Sequence, residues 1–206
     1  MHADEHEQYT ICSLYCDSPD DILARISLDK PVYKEKLRLR AYGTLTDSSP
    51  VFLEIKKKYD GVVYKRRVST DFAQAMRFLT EGIPPESGDY VARQVTAEMT
   101  HMIRRDGLIP RAAVFYDRRA FHGADDPELR LTLDGNIRYR LGDLDLRNGT
   151  DGDTIPGQPF RIMEIKSASS IPLWLAGTLS ELGIHPGSFS KYGSVYKQRF
   201  QDLCTT

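Results

Sequence analysis

The sequence predicts an α+β fold in which an antiparallel sheet packs helices against its apolar face. Three observations carry that expectation. Stretches at 33–43, 51–68 and 128–134 set apolar and polar or charged residues on opposite parities, the pattern of strands with two unlike faces. Asp60-Gly61 separates two such runs, and a two-residue turn of this kind needs positive φ, so 51–68 reads as a hairpin. Two segments after it place apolar residues at helical spacing and stop before Gly82 and Gly107, the usual end signal of a helix.

Taken in order, residues 1–8 (MHADEHEQ) are polar and expected to be disordered. "YTICSLYCD" (9–17) reads as a strand, followed by the turn signal Ser18-Pro19-Asp20, a short helix at about 20–28 and the alternating strand 33–43. After the hairpin, Ser69 or Thr70 is expected to cap a helix with Phe72, Met76 and Leu79 on one face. A longer helix at about 89–105 aligns Val91, Val95, Met99 and Met102, and Arg104 and Arg105 near its end suit the dipole. Three strands are expected at 111–119, 128–134 and 136–142, then a loop at 146–159 and a strand at 160–166. Residues 171–183 read as a helix with Pro172 near its start and Gly183 past its end. Trp174, with Leu173 and Leu175, is expected on the core face of that helix. A last helical or irregular piece carries "FSKYGSVYKQRF". No stretch is long enough to separate domains, so 1–206 reads as one unit.

Composition narrows the function classes. A chain of 206 residues with 40% hydrophobic and 28% charged residues can bury one good core and is not of the disordered class. The net charge of −1 balances 28 basic against 29 acidic residues, so any affinity for anions must come from local arrangement rather than bulk charge. Three cysteines, an odd number without a secretory leader, lead us to expect a reducing, cytoplasmic compartment. No apolar run approaches the roughly 18 residues of a membrane span. His101, His122 and His185 are scattered without ligand spacing and are expected at the surface.

Strand parity then decides which side chains share a face. Lys34, Lys36, Arg38 and Arg40 oppose Leu37 and Leu39; Glu54, Lys56 and Lys58 oppose Leu53 and Ile55; Lys65 and Arg67 share one parity on the return strand. Tyr116 goes with Arg118, Arg130 with Thr132 and Asp134, Arg138 with Arg140, and Glu164 with Lys166. Each set is compatible with the wet face of an ordinary sheet. Together they form a dense cationic face on which Glu54, Asp134 and Glu164 are too few to neutralise the charge, and a curled sheet would close that face around an anion. Arg and Lys would then grip phosphate oxygens, and the carboxylates would hold the hard divalent cation that accompanies polyphosphates.

Seven segments in order, "SLYCDSPD", "KEKLRLRAYG", "VFLEIKKKYDGVVYKRRV", "FYDRRAFHG", "LRLTLDGNIRYR", "IMEIKSASSIPLWL" and "FSKYGSVYK", resemble the VTC domain. That is the catalytic domain of polyphosphate polymerases, within the triphosphate tunnel metalloenzyme superfamily. The resemblance covers about 9–197 and implies an antiparallel β-barrel, the CYTH-like triphosphate tunnel, with helices packed outside. It implies transfer of the γ-phosphoryl group of ATP to a growing polyphosphate chain, with Mn2+ or Mg2+ as cofactor; a nucleic-acid partner is not expected, because exposed aromatic stacking runs are absent and the charge is near neutral. Arg38 and Arg40 match the family's R-x-R strand, Lys56 the lysine of E-x-K, Lys65 a basic position on the return strand, and Arg118 and Arg130 further phosphate ligands. Glu164 matches the metal-binding glutamate, with Lys166 beside it, and Ser190 and Lys191 match a pair at the tunnel mouth. Catalytic roles are therefore expected for Arg38, Arg40, Lys56, Arg118 and Arg130. Substrate binding is expected for Lys36, Lys65, Arg67, Arg138, Lys166, Ser190 and Lys191, and metal binding for Glu164 and Glu54. The family begins with a further E-x-K strand that is not seen ahead of Tyr9, so an unpaired sheet edge, open to a second copy, is expected. The rival readings are a triphosphatase using the same tunnel and a non-catalytic polyphosphate- or nucleotide-binding module.

Overall fold

A computed structural model describes residues 1–3, 7–29, 31–155 and 161–204, with side chains as far as 199. Asp60 and Gly61 take φ values of 43° and 83°, the left-handed pair that matches a two-residue turn to the twist of its strands. They join β4 (Pro50–Tyr59) to β5 (Val62–Asp71), which pair from Tyr59↔Val62 to Pro50↔Asp71. β3 (Tyr33–Tyr42) lies beside β4, then come β2 (Tyr9–Asp17), β6 (Ile109–His122) and β7 (Arg130–Arg140). The far edge of β7 is shared by β8 (Asp153–Thr154), inside the expected loop, and β9 (Ile162–Lys166). β1 (His2–Ala3) pairs with Phe121 and His122 of β6, so the segment expected to be disordered contains two paired residues. Every pairing is antiparallel, and among the described residues no hydrogen-bonded ladder joins β5 back to the other end of the sheet.

The expected α+β architecture therefore holds, with an open edge at β5. One face of the sheet packs Leu37, Leu39, Leu53, Ile55 and Phe115 against α2 (Phe72–Glu81) and α3 (Tyr90–Asp106) through Phe72, Phe78, Met99 and Met102. The other face carries the charges and receives α1 (Ile22–Leu28) and α5 (Lys191–Cys204) at one side, where Ala24, Tyr192 and Val195 meet Tyr15 and Ala112. Gly193 permits that approach, because a Cβ there would lie 3.1 Å from both Leu28 Cδ2 and Ser190 Oγ. No helix among the described residues is long and apolar enough to cross a membrane.

Four local expectations are corrected. Ser69 and Thr70 still pair with Phe52 and Val51, so the cap of α2 is Asp71, whose carboxylate accepts the Gln74 amide at 2.7 Å. The strands expected at 128–134 and 136–142 are the single strand β7, which absorbs an extra residue where Asn136 adopts φ 51°. Val91 is exposed while Val95, Met99 and Met102 are buried, so the apolar stripe of α3 starts one turn late. On α4 (Leu173–Glu181) only Leu175 is buried; Leu173 and Trp174 are 91% and 55% exposed, so the tryptophan is not core.

Candidate functional site

The hairpin that concentrates cations divides them by parity. Lys57 and Arg66 face the helices, where both meet Glu98 of α3, and Lys57 also lies 3.2 Å from Glu35. Arg105 joins the same group by pairing with Glu35 and Asp106, a contact from α3 to the sheet beside the expected dipole role. Lys56, Lys65 and Arg67 face the opposite way, in register with Lys36 and Glu54.

On that second face two buried carboxylates organise the cations. Glu54, 1% exposed, accepts from Arg38 Nε at 2.7 Å, lies 3.5 Å from Arg40 Nε and meets Lys65 Nζ at 2.6 Å. Burial alone would raise its pKa, but Arg38 and Lys65 outweigh that and hold it below the usual carboxylate range. Asp134 accepts both Nε and Nη2 of Arg118, at 2.7 and 2.9 Å, and Lys191 Nζ at 2.7 Å. Burial again acts upward and is overcome, here by Arg118 and Lys191. These pairs fix the guanidinium planes while leaving other N–H groups of each fork free to bind an anion.

Ser190 and Lys191 show that the face is concave. Lys36 Nζ, from β3, donates to Ser190 Oγ at 2.8 Å, whereas Lys191 reaches Asp134 on β7. In the sheet, β2 and β6 lie between β3 and β7, a separation of roughly 14 Å if the strands were flat. Two successive residues at the start of α5 bridge it. Their position is set by Tyr192, whose ring stacks on Tyr15 at 4.8 Å and 5° and whose hydroxyl donates to Asp17 Oδ2 at 2.9 Å. Asp17 also accepts the amides of Ser18, Leu23 and Ala24 at 2.8 Å each, so one carboxylate ties the start of α1 to α5.

The centre of the face is short of negative charge. Lys36 has its pKa lowered first by burial and then by Lys34, Lys56 and Arg38. Tyr15 shows the same field from the other side. Burial would raise its phenol, but Arg38, Lys36 and Lys191 pull it below its ordinary value, and Arg38 Nη1 donates to its oxygen at 3.3 Å. The buried hydroxyls of Ser13 and Thr132, opposite Arg40 and Glu164 in register, have no hydrogen-bond partner among the described residues.

The structure therefore brings Lys36, Arg38, Arg40, Glu54, Lys56, Lys65, Arg67, Arg118, Arg130, Glu164, Lys166, Ser190 and Lys191 to one face. Arg138 is the exception. The extra residue in β7 reverses the parity beyond Asn136, so Arg138 pairs with Phe115 on the helix-covered face and binds Asp117 and Thr150 O. Sequence reasoning passed over Tyr15, Asp17 and Tyr192; the alternation of 9–17 places Tyr15 and Asp17 on the cationic side and was the available signal.

No three His, Cys, Asp or Glu residues cluster as a metal site among the described residues. Of the carboxylates on the face, Glu164 is half-exposed and only loosely paired, 3.3 Å from Lys166 and 4.0 Å from Arg118. A hard cation that takes one carboxylate and completes its shell with phosphate oxygens and water fits that arrangement; Glu54, held by three cations, does not have the same freedom.

The chain is similar to several known proteins. A candidate adenylate cyclase from Bacillus halodurans shares the fold with a TM-score of 0.51 at 12% identity, over 91% of this chain and 81% of that one. A candidate adenylyl cyclase from Hippeastrum with a dominant triphosphatase activity gives 0.48 at 17%, over 94% and 84%. The vacuolar transporter chaperone complex subunit 4 of Schizosaccharomyces pombe is 23% identical over 241 residues, covering 97% of this chain and 33% of the relative, so the chain spans about a third of that protein. The VTC domain model matches residues 1–200, and the chain belongs to the VTC domain family.

Proposed function

We propose that this domain transfers the γ-phosphoryl group of ATP to the end of a polyphosphate chain held along the cationic face. The observation that carries the reading is the register that sets Lys36 opposite Lys56 and Lys56 opposite Lys65, on the same face as the Arg38, Arg40 and Lys65 cations gathered around Glu54. A terminal oxygen of the chain attacks the γ-phosphorus, the bond to the β-phosphate oxygen breaks, and ADP leaves with that oxygen. Such transfer asks the protein chiefly for positioning and charge neutralisation. Arg38, Arg40, Lys56, Arg118 and Arg130 are assigned the reacting phosphates, and Lys36, Lys65, Arg67, Lys166, Ser190 and Lys191 the rest of the chain. Mn2+ or Mg2+, held by Glu164 and phosphate oxygens, would supply further neutralisation between phosphates. We assign Glu54, expected as a second metal ligand, to aligning Arg38, Arg40 and Lys65 instead.

Water as acceptor is a second reading, favoured by the unclosed sheet and by the exposure of Glu164. Incubation with ATP and manganese or magnesium, followed by sizing of the products, separates the cases. Long chains support the polymerase. Orthophosphate alone makes it a triphosphatase, and intact ATP with measurable binding makes it a binding module.

A further inference from the structure

A group of aromatic rings ends the cationic face where β3 and β4 meet their loop. Tyr42, 41% exposed, lies 6.0 Å from Tyr9 at 54° and 6.3 Å from Phe52 at 83°. The Arg67 guanidinium sits 4.8 Å from the centroid of Phe52. Register places Phe52 opposite Arg40, Tyr42 opposite Ile11, and Tyr9 opposite Arg118, so cations chosen above as phosphate ligands flank the rings on both sides. A polyphosphate chain has no use for a half-exposed aromatic ring. A ligand that joins a phosphate chain to a planar heteroaromatic ring uses both.

We infer that Tyr42, with Phe52 and Arg67, is the platform on which the base of a nucleoside triphosphate stacks. This rests on the reading of the face as a polyphosphate site and adds a direction to it. With the base at Tyr42, the phosphates run along β3 past Arg40 and Arg38 towards Lys36, about 20 Å from Tyr42 at the rise of an extended strand. The acceptor chain then enters from the lysine end, where Lys34, Lys36, Lys56 and Lys58 face one another across β3 and β4. Stacking reads the π-face that every base offers, so the platform accepts purine triphosphates with little discrimination between them.

Titration of ATP and of inorganic tripolyphosphate into the wild-type protein, Tyr42→Ala and Tyr42→Phe tests the inference. Tyr42→Ala is expected to weaken ATP by about tenfold and to leave tripolyphosphate unchanged, which also shows that the variant is folded. Tyr42→Phe keeps the ring and is expected to bind ATP as the wild type does. Unchanged ATP affinity in Tyr42→Ala, or equal weakening of both ligands, overturns the platform while the phosphate site stands. Failure of the wild-type protein to bind tripolyphosphate overturns the underlying reading and the platform with it.

Discussion

Glu54 and Glu164 have the same chemistry and lie on the same face, yet their surroundings differ. Glu54 is buried among three cations; Glu164 is half-exposed with one loose lysine contact. Replacing Glu164 by Gln keeps the shape and removes the charge. We expect turnover at saturating manganese to fall by about 10²-fold or more, while tripolyphosphate binding without metal persists or tightens. Survival of turnover in a steady-state assay would remove Glu164 from the metal role. The sequence made both carboxylates visible by parity alone, but it could not separate them. Burial and the number of cations within reach are properties of neighbouring strands, and neither can be read along one.

At the scale of elements, two aspartates tie α1 to α5. Asp17 accepts three amides and the Tyr192 hydroxyl, and Asp21, which precedes α1, pairs with Arg111 and with Arg199 of α5. Asp17→Asn turns one acceptor into a donor facing the Ala24 amide or the Tyr192 hydroxyl. It is expected to cost about 1–3 kcal/mol in urea unfolding, and an unchanged midpoint would show that α1 and α5 are held by packing alone. The hairpin was legible, because Asp60-Gly61 states its turn chemistry locally, as was β3, whose basic and apolar residues alternate from Lys36 to Ala41. The error at Arg138 has an equally local cause. The sequence reading breaks the strand at Gly135, whereas the chain runs on through it and uses Asn136 for a bulge, and every residue after it changes face. The error at Trp174 is of another kind: helical spacing marks an apolar stripe but not whether anything covers it, and α4 leaves Leu173 and Trp174 exposed.

The whole molecule combines a well-satisfied apolar face with a charged face that is not self-sufficient. Leu37, Leu39, Leu53 and Ile55 are buried beneath α2 and α3, and the same strands carry Lys36 opposite Lys56 and Lys56 opposite Lys65 on their other side. Like charges directly across a sheet destabilise it, and on the proposed reading these lysines are there to meet an anionic ligand. Substituting both Lys36 and Lys56 by Met keeps most of each aliphatic stem and relieves the repulsion. The most direct measurement is calorimetric titration of tripolyphosphate into this double variant and the wild type, with the melting temperature of each recorded alongside. Charged hydrogen bonds contribute roughly 1.5–3 kcal/mol each, so the variant is predicted to bind about 10²-fold more weakly or worse and to melt at the same temperature or higher. Affinity within about twofold of the wild type, a difference under roughly 0.5 kcal/mol, would contradict the claim that this face exists to hold a polyphosphate.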